Sequence, residues 1–306
     1  MTPAELQPVL DDIARALSAE TDRGDPATYI PELGSVSPDQ FGVAVCLPSG
    51  ETLQAGDACT AFSIQSISKV FTLTIALGRL GDRLWSRVGR EPSGLAFNSI
   101  VALEQNKGIP RNPFVNPGAI AVTDAILEGL QPREVLAELL QFLRMAAEDD
   151  DIHIDKAVAC SELAHAHRNI AMAEFMAAHG NLRNPTALTI GAYCHQCAVE
   201  MSCVQLARAG RFLAGFADAP RPVSPARIRR INALMLTCGH YDASGDFAYH
   251  VGLPGKSGVG GGILAIAPKR ASIAVWSPGL NAQGNSKLGA EAMERLARAT
   301  GWSVFG

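Results

Sequence analysis

Two side chains three residues apart, Ser66 and Lys69, open an apolar stretch that runs from Val70 to Gly78. On a helix that spacing places both on one face, near enough for the amine to reach the hydroxyl. A serine hydroxyl is a poor nucleophile until a base takes its proton. Lysine becomes that base when burial or a neighbouring cation leaves it neutral. The N-terminal end of the helix favours the negative charge that develops on the serine. The element reads as Ser-x-x-Lys acyl-transfer chemistry, while Ser63 and Ser68 also suit the caps of an ordinary helix. The spacing predicts a helix closed at Gly78, with positions 67, 70, 71, 75 and 77 on its buried face.

A second cluster, Lys256-Ser257-Gly258-Val259-Gly260-Gly261-Gly262, lies far along the chain. Lys-Ser-Gly beside a nucleophile supplies a fixed cation, a hydroxyl and a backbone that substrate can approach. Its glycines leave room for an acyl group and a main-chain N–H aimed at an oxyanion. A phosphate loop is excluded, because neither Gly-x-x-x-x-Gly-Lys-Ser/Thr nor a glycine fingerprint leading into a helix is present. A plain hairpin turn remains the competing reading.

These groups need elements to hold them. Residues 3–19 carry helical spacing through Leu6, Val9, Leu10, Ile13 and Leu17, and residues 41–47 and 51–56 read as strands around a Pro48-Ser49-Gly50 turn. The middle favours helix over 122–130, 132–145, 155–179 and 197–213. Strands return at 247–253, 263–267 and 271–276, and a helix closes the chain over 287–299. This order predicts an α+β fold, an antiparallel sheet built from both ends of the chain and flanked by helices, plus an inserted helical lobe. The expected division is 1–95 with 246–306 against 96–245, with the site between the two parts.

Of 306 residues, 47% are hydrophobic and 18% charged, which permits a substantial core and excludes wholesale disorder. A formal charge of −4 without a Lys/Arg block argues against nucleic acid as a partner. No apolar run approaches a membrane span, and the start, Met1-Thr2-Pro3-Ala4-Glu5-Leu6, lacks the pattern of a secretory signal. Seven scattered cysteines then imply reduced thiols and a cytoplasmic protein. Cys194-His195-Gln196-Cys197 has metal-ligand spacing but no second pair, so helix cysteines are the expectation. Asp149-Asp150-Asp151 with Asp155 lacks the glycine and terminal glutamate of a calcium loop and reads as a solvated acidic turn.

Three segments taken together are similar to the glutaminase family. They are Phe62-Ser63-Ile64-Gln65-Ser66-Ile67-Ser68-Lys69, Asn112-Pro113-Phe114-Val115-Asn116-Pro117-Gly118-Ala119-Ile120, and Tyr241-Asp242-Ala243-Ser244-Gly245 ahead of Lys256-Ser257-Gly258-Val259-Gly260-Gly261-Gly262. The resemblance runs from about Tyr29 to the C-terminus and implies a fold like serine β-lactamases and penicillin-binding proteins. It implies Ser66 as nucleophile, Lys69 as base, Tyr241 as a proton relay, and Val259 as the backbone donor that joins Ser66 in an oxyanion hole. Tyr29, Asn116, Glu162, Asn169 and Tyr193 match substrate-binding positions, and Lys256, Ser257 and Gly258 support the site. L-glutamine is the implied substrate, a homodimer or homotetramer the implied assembly, and no metal or organic cofactor is implied.

Physical chemistry agrees with that set. Free glutamine carries an ammonium and a carboxylate, and both need partners once desolvated. Glu162 suits the ammonium, while Asn116 and Asn169 suit the carboxylate or the amide. Glu162 and Asn169, seven apart on one predicted helix, should share a face. The alternatives are a serine hydrolase of β-lactamase or esterase type, disfavoured by the missing Ser-Asp-Asn element, and a non-catalytic glutamine-binding protein. Gly255 and His240 depart from the family's commoner alanine and methionine, next to the site.

Overall fold

A computed structural model describes residues 1–94 and 99–306. The expected boundary between residues 95 and 96 falls outside them. Five strands form one antiparallel sheet: β1 (Gly42–Cys46), β2 (Thr52–Gly56), β6 (Gly255–Ser257), β7 (Gly262–Ala267) and β8 (Ala271–Trp276), in the order β2-β1-β8-β7-β6. A smaller sheet joins β3 (Phe62–Ser63), β5 (Val199–Met201) and β4 (His153–Ile154), in that order.

The β1 and β7 sequences are unbroken apolar runs, and β8 is interrupted only by the buried Ser272, because both faces of the sheet are covered. Alternation still sorts them. Val43, Val45, Ile263, Ala265, Ile273 and Val275 pack with the helices Pro3–Ser18 and Lys287–Thr300. Ala44, Cys46, Leu264, Ile266, Ala274 and Trp276 join the opposite core, which includes the helices Ser68–Leu80 and Pro132–Ala147. The register places Val43 and Ile263 on either side of Val275. Both ends of the chain therefore build the sheet, and the residues between β5 and β6 are helical apart from turns.

Four expectations change. Residues 247–253 are not a strand: Ser244–His250 is a helix, capped at its C-terminal end through a bond from Val251 N–H to Phe247 O. The predicted helix 155–179 is two helices, Lys156–Ala164 and His167–Ala178, broken at His165 and Ala166. The span 197–213 holds β5 and two short helices, Cys203–Ala209 and Arg211–Ala214, since the Val199-Glu200-Met201 strand is too short to register in periodicity. The Ser68–Leu80 helix passes through Gly78 and stops at Gly81, whose φ of 59° suits glycine. Every residue from Ser68 to Leu77 is buried, so this helix is central, without a single apolar stripe.

Candidate functional site

Ser66 stands in a 3-10 turn, Gln65–Ile67, that feeds directly into the Ser68–Leu80 helix, with Lys69 in its first turn. The turn is held from both sides. Phe62 in β3 stacks on Trp276 of β8 at 5.0 Å, and Ser63 pairs with Glu200 of β5. Gln65 takes a left-handed φ of 47°, and its side-chain amide donates to Ser63 Oγ at 3.0 Å. A non-glycine residue in that region directly before the serine is a local strain of the kind that accompanies functional sites.

Lys69 is 1% exposed. Its Nζ donates to Asn116 Oδ1 at 2.7 Å and to Phe114 O at 3.3 Å, and lies 5.7 Å from the centre of the Tyr193 ring. Burial pulls its pKa down to about 8, with Cys197 and Glu162 acting in the opposite direction. A lysine in this state gives up its proton more readily than an exposed one.

The segment around Asn116 shows why its sequence is shaped as it is. Asn112 Oδ1 accepts from Phe114 N and Val115 N at 3.0 and 3.1 Å, closing an Asx-type turn. Pro117 lies in the first turn of the Asn116–Leu127 helix, where its missing N–H costs nothing. Asn116 thus starts the helix with its side chain free to face Lys69, and its Nδ2 donates to Asn169 Oδ1 at 3.1 Å.

Glu162 and Asn169 do not share a helix face. Each lies on its own helix, yet both line one cleft of about 230 Å³ with Tyr29, Ser66, Asn116, Tyr193 and Val259. Glu162 is 8% exposed, and Oε2 has no hydrogen-bond partner among the described residues. Burial raises its pKa to about 7, against the pull of Lys69, Gln65 and Cys197 nearby. Tyr193 is buried on the Thr186–Cys197 helix, and burial raises its phenol above the ordinary range. Tyr29 is 55% exposed at the cleft edge.

Tyr241 follows a bend, with a left-handed φ of 58°. Its hydroxyl is buried beside Ser66 and Ser257, and burial raises its pKa to about 12 against the pull of these two hydroxyls, so it keeps its proton at neutral pH. Lys256 Nζ lies 4.5 Å from the centre of this ring and donates to Gly239 O at 3.0 Å. Burial first, then the charge of Lys69, hold Lys256 well below the usual amine range.

The glycine-rich segment is neither a phosphate loop nor only a hairpin turn. It leaves β6 at Ser257 and returns as β7 at Gly262, running beside the serine turn. A Cβ on Gly258 would fall 2.5 Å from Ile64 O and 3.3 Å from Ser66 N, and one on Gly260 would fall 2.2 Å from Ser63 O. Trp276 Nε1 donates to Gly260 O at 2.9 Å, fixing the loop to β8. Main chain therefore meets main chain here, which places the peptides around Val259 beside that of Ser66.

The cleft also gathers Gln65, Ile30, His165 and Arg168, which the sequence reading did not assign to the site. Gln65 was within reach of that reading, as the residue before the serine. His165 and Arg168 flank Glu162 and Asn169 and carry no spacing signal of their own. Among the described residues no group of three or more His, Cys, Asp or Glu side chains could hold a metal ion, and no helix is long and apolar enough to cross a membrane.

A family model for glutaminases matches residues 24–305. Glutaminases of Rhizobium rhizogenes and Methylobacterium nodulans are 62% and 61% identical to this chain, each over 99% of both sequences. Among solved structures, the probable glutaminase YbaS superposes with a TM-score of 0.93 at 34% identity, covering 100% of this chain and 99% of its own. A probable glutaminase of Bacillus subtilis complexed with 6-diazo-5-oxo-L-norleucine superposes with a TM-score of 0.89 at 31% identity, covering 100% and 97%. The antiparallel sheet with its helices is accordingly the β-lactamase-like fold of bacterial glutaminases. With likeness of this order along nearly the whole of each sequence, the chain belongs to the glutaminase family.

Proposed function

We propose that the chain hydrolyses the side-chain amide of L-glutamine, giving L-glutamate and ammonia through an acyl-enzyme on Ser66. Family membership supports the reaction, and the relative complexed with 6-diazo-5-oxo-L-norleucine holds a molecule built on an amino-acid backbone. The observation that carries the reading is one cleft lined by Ser66, by Asn116 with the buried Lys69 amine bonded to it, and by a buried carboxylate with an oxygen that has no partner among the described residues.

In this reading neutral Lys69 accepts the Ser66 proton, directly or through the Tyr241 hydroxyl, as Ser66 Oγ bonds to the amide carbon. The carbonyl electron pair moves onto oxygen, where backbone N–H groups of Ser66 and Val259 hold it. Collapse expels nitrogen, which takes the proton from Lys69 or Tyr241 and leaves as ammonia. Water then attacks the glutamyl ester by the same route, releasing glutamate and restoring the serine. Glu162 pairs with the substrate ammonium, and Asn116, Asn169, Tyr29 and Tyr193 complete the pocket. Lys256, Ser257 and Gly258 support Tyr241 and the oxyanion strand.

The same proposal takes the site to lie between a sheet part and a helical part of the chain, and takes the protein to be a cytoplasmic homodimer or homotetramer. The cysteines support a reducing compartment, since all seven are free. Light scattering on the purified protein measures the assembly.

Ammonia release by the wild type and by Ser66→Ala, with L-asparagine in parallel, tests the reaction. Glutamine turnover that vanishes in the variant is the expected result. Activity that survives in Ser66→Ala would sink the mechanism, and turnover of nitrocefin or p-nitrophenyl esters in place of glutamine would reassign the substrate.

A further inference from the structure

The left-handed backbone of Tyr241 is unusual for a bulky aromatic residue, and such a conformation persists only where the surroundings over-determine it. The residue before it supplies much of that restraint. The His240 N–H donates to Ser244 Oγ at 3.0 Å, and Ser244 Oγ donates in turn to Tyr241 O at 2.9 Å. His240 O accepts from Asn285 Nδ2 at 3.3 Å and from Ala243 N at 3.0 Å.

The imidazole itself is 1% exposed. It stacks on Phe247 with ring centres 3.6 Å apart and planes 13° apart. At the shared edge of the two rings is Gly255, the first residue of β6: a Cβ there would fall 2.6 Å from His240 Cε1 and 2.9 Å from Phe247 Cε1. The ring thus occupies the space that any larger residue at 255 would need. Burial and the Lys256 charge hold this histidine well below its ordinary pKa, so the packed ring is neutral.

We infer that His240 is a positioning residue: stacked on Phe247 with its edge against Gly255, its ring sets the peptide that aims Tyr241 at Ser66, and Gly255 is glycine because this ring wedge leaves no space for a side chain. This rests on the reading of Tyr241 as the proton relay. Neither His240 nor Gly255 lines the cleft, so the inference concerns the rate of proton transfer and leaves glutamine affinity alone.

Steady-state kinetics of His240→Ala, Gly255→Ala, the double variant His240→Asn/Gly255→Ala and Tyr241→Phe test it. Asparagine keeps the first atoms of the side chain, lacks the Cε1 that a Cβ at 255 would strike, and vacates the space into which the stacked Phe247 ring, 2.9 Å from the same Cβ, can retreat. Misplacing a catalytic group by about an ångström lowers kcat by roughly 10- to 100-fold, which is the loss expected in each single variant at His240 and Gly255. Their KM for glutamine should stay within about threefold, the mark of an interaction used only in the transition state. The double variant should recover kcat relative to Gly255→Ala.

Wild-type kcat in His240→Ala, with Tyr241→Phe inactive, would overturn the inference and leave the relay standing. Full activity in Tyr241→Phe would overturn the relay and the inference with it. Should His240→Ala fail to fold, Gly255→Ala and the double variant decide: without recovery in the double, the wedge is wrong.

Discussion

Lys69 Nζ donates to Asn116 Oδ1 over 2.7 Å inside a wall of buried side chains, so the amine is held in place by a neutral partner and not by a carboxylate in contact. That choice matters for its chemistry. A direct ion pair would raise the pKa and keep the proton on; an amide oxygen leaves burial to dominate, and the pKa falls to about 8.

The pH profile follows from this. A base must be unprotonated, so kcat/KM rises with pH as Lys69 loses its proton near 8 and Glu162 loses its own near 7. Each group lies in the field of the other, and the acid limb therefore reports the pair. Tyr241 keeps its proton until about 12, so the rise should lead into a plateau before any fall from this phenol. Initial rates from pH 6 to about 10 check it; activity that declines steadily across that range would exclude Lys69 as the base.

Glu162→Gln should act on binding. Hydrogen bonds to charged partners contribute about 1.5–3 kcal/mol, roughly tenfold to a hundredfold in KM, with a smaller effect on kcat. The acid limb of the profile should also simplify, because only Lys69 then titrates there. An unchanged KM would move the ammonium site elsewhere in the cleft.

Gly260→Ala tests the approach of the glycine segment to the serine turn. The added methyl meets Ser63 O at 2.2 Å, and this oxygen is backbone, so one main-chain segment must move. The expected outcome is a loss in kcat of about 10²–10³, the range for losing one oxyanion donor, with ammonia release as the readout. Normal turnover would show that this backbone takes no part in holding the oxyanion.

Stability of the helical region has its own centre. Asp124 is fully buried, pairs with Arg87, and accepts from Arg183 N, Asn184 N and Asn184 Nδ2, each at 3.0 Å, and from Thr189 Oγ1 at 3.1 Å. Removing one partner of a buried ion pair costs about 3–5 kcal/mol, so Asp124→Ala should melt well below the wild type. Thermal unfolding followed by circular dichroism reads this directly, and an unchanged melting temperature would refute it.

Local order was legible where chemistry and periodicity are local. The Ser-x-x-Lys spacing, the strands at 41–47, 263–267 and 271–276, and the first and last helices needed only neighbouring residues to be recognised. Periodicity failed where tertiary contacts override it. A strand of three residues at Val199–Met201 has no period to detect, and the run at 247–253 is the end of a helix and the turn that caps it, with Phe247 and Val251 facing the core beneath the closing helix. Glu162 and Asn169 looked like one helix face, yet they reach the same cleft from two helices.

By itself, then, the sequence determined which groups were on hand: a serine with its lysine, a glycine segment able to lie against another backbone, and a carboxylate suited to an ammonium. Only the tertiary structure decided their state. Burial lowers Lys69 and raises Glu162, the close approach of residues 258–260 to 63–66 sets two peptides side by side, and His240 packs where only glycine at 255 leaves room. Those properties arise from dielectric and distance between residues remote in the chain, which no local pattern of side chains records.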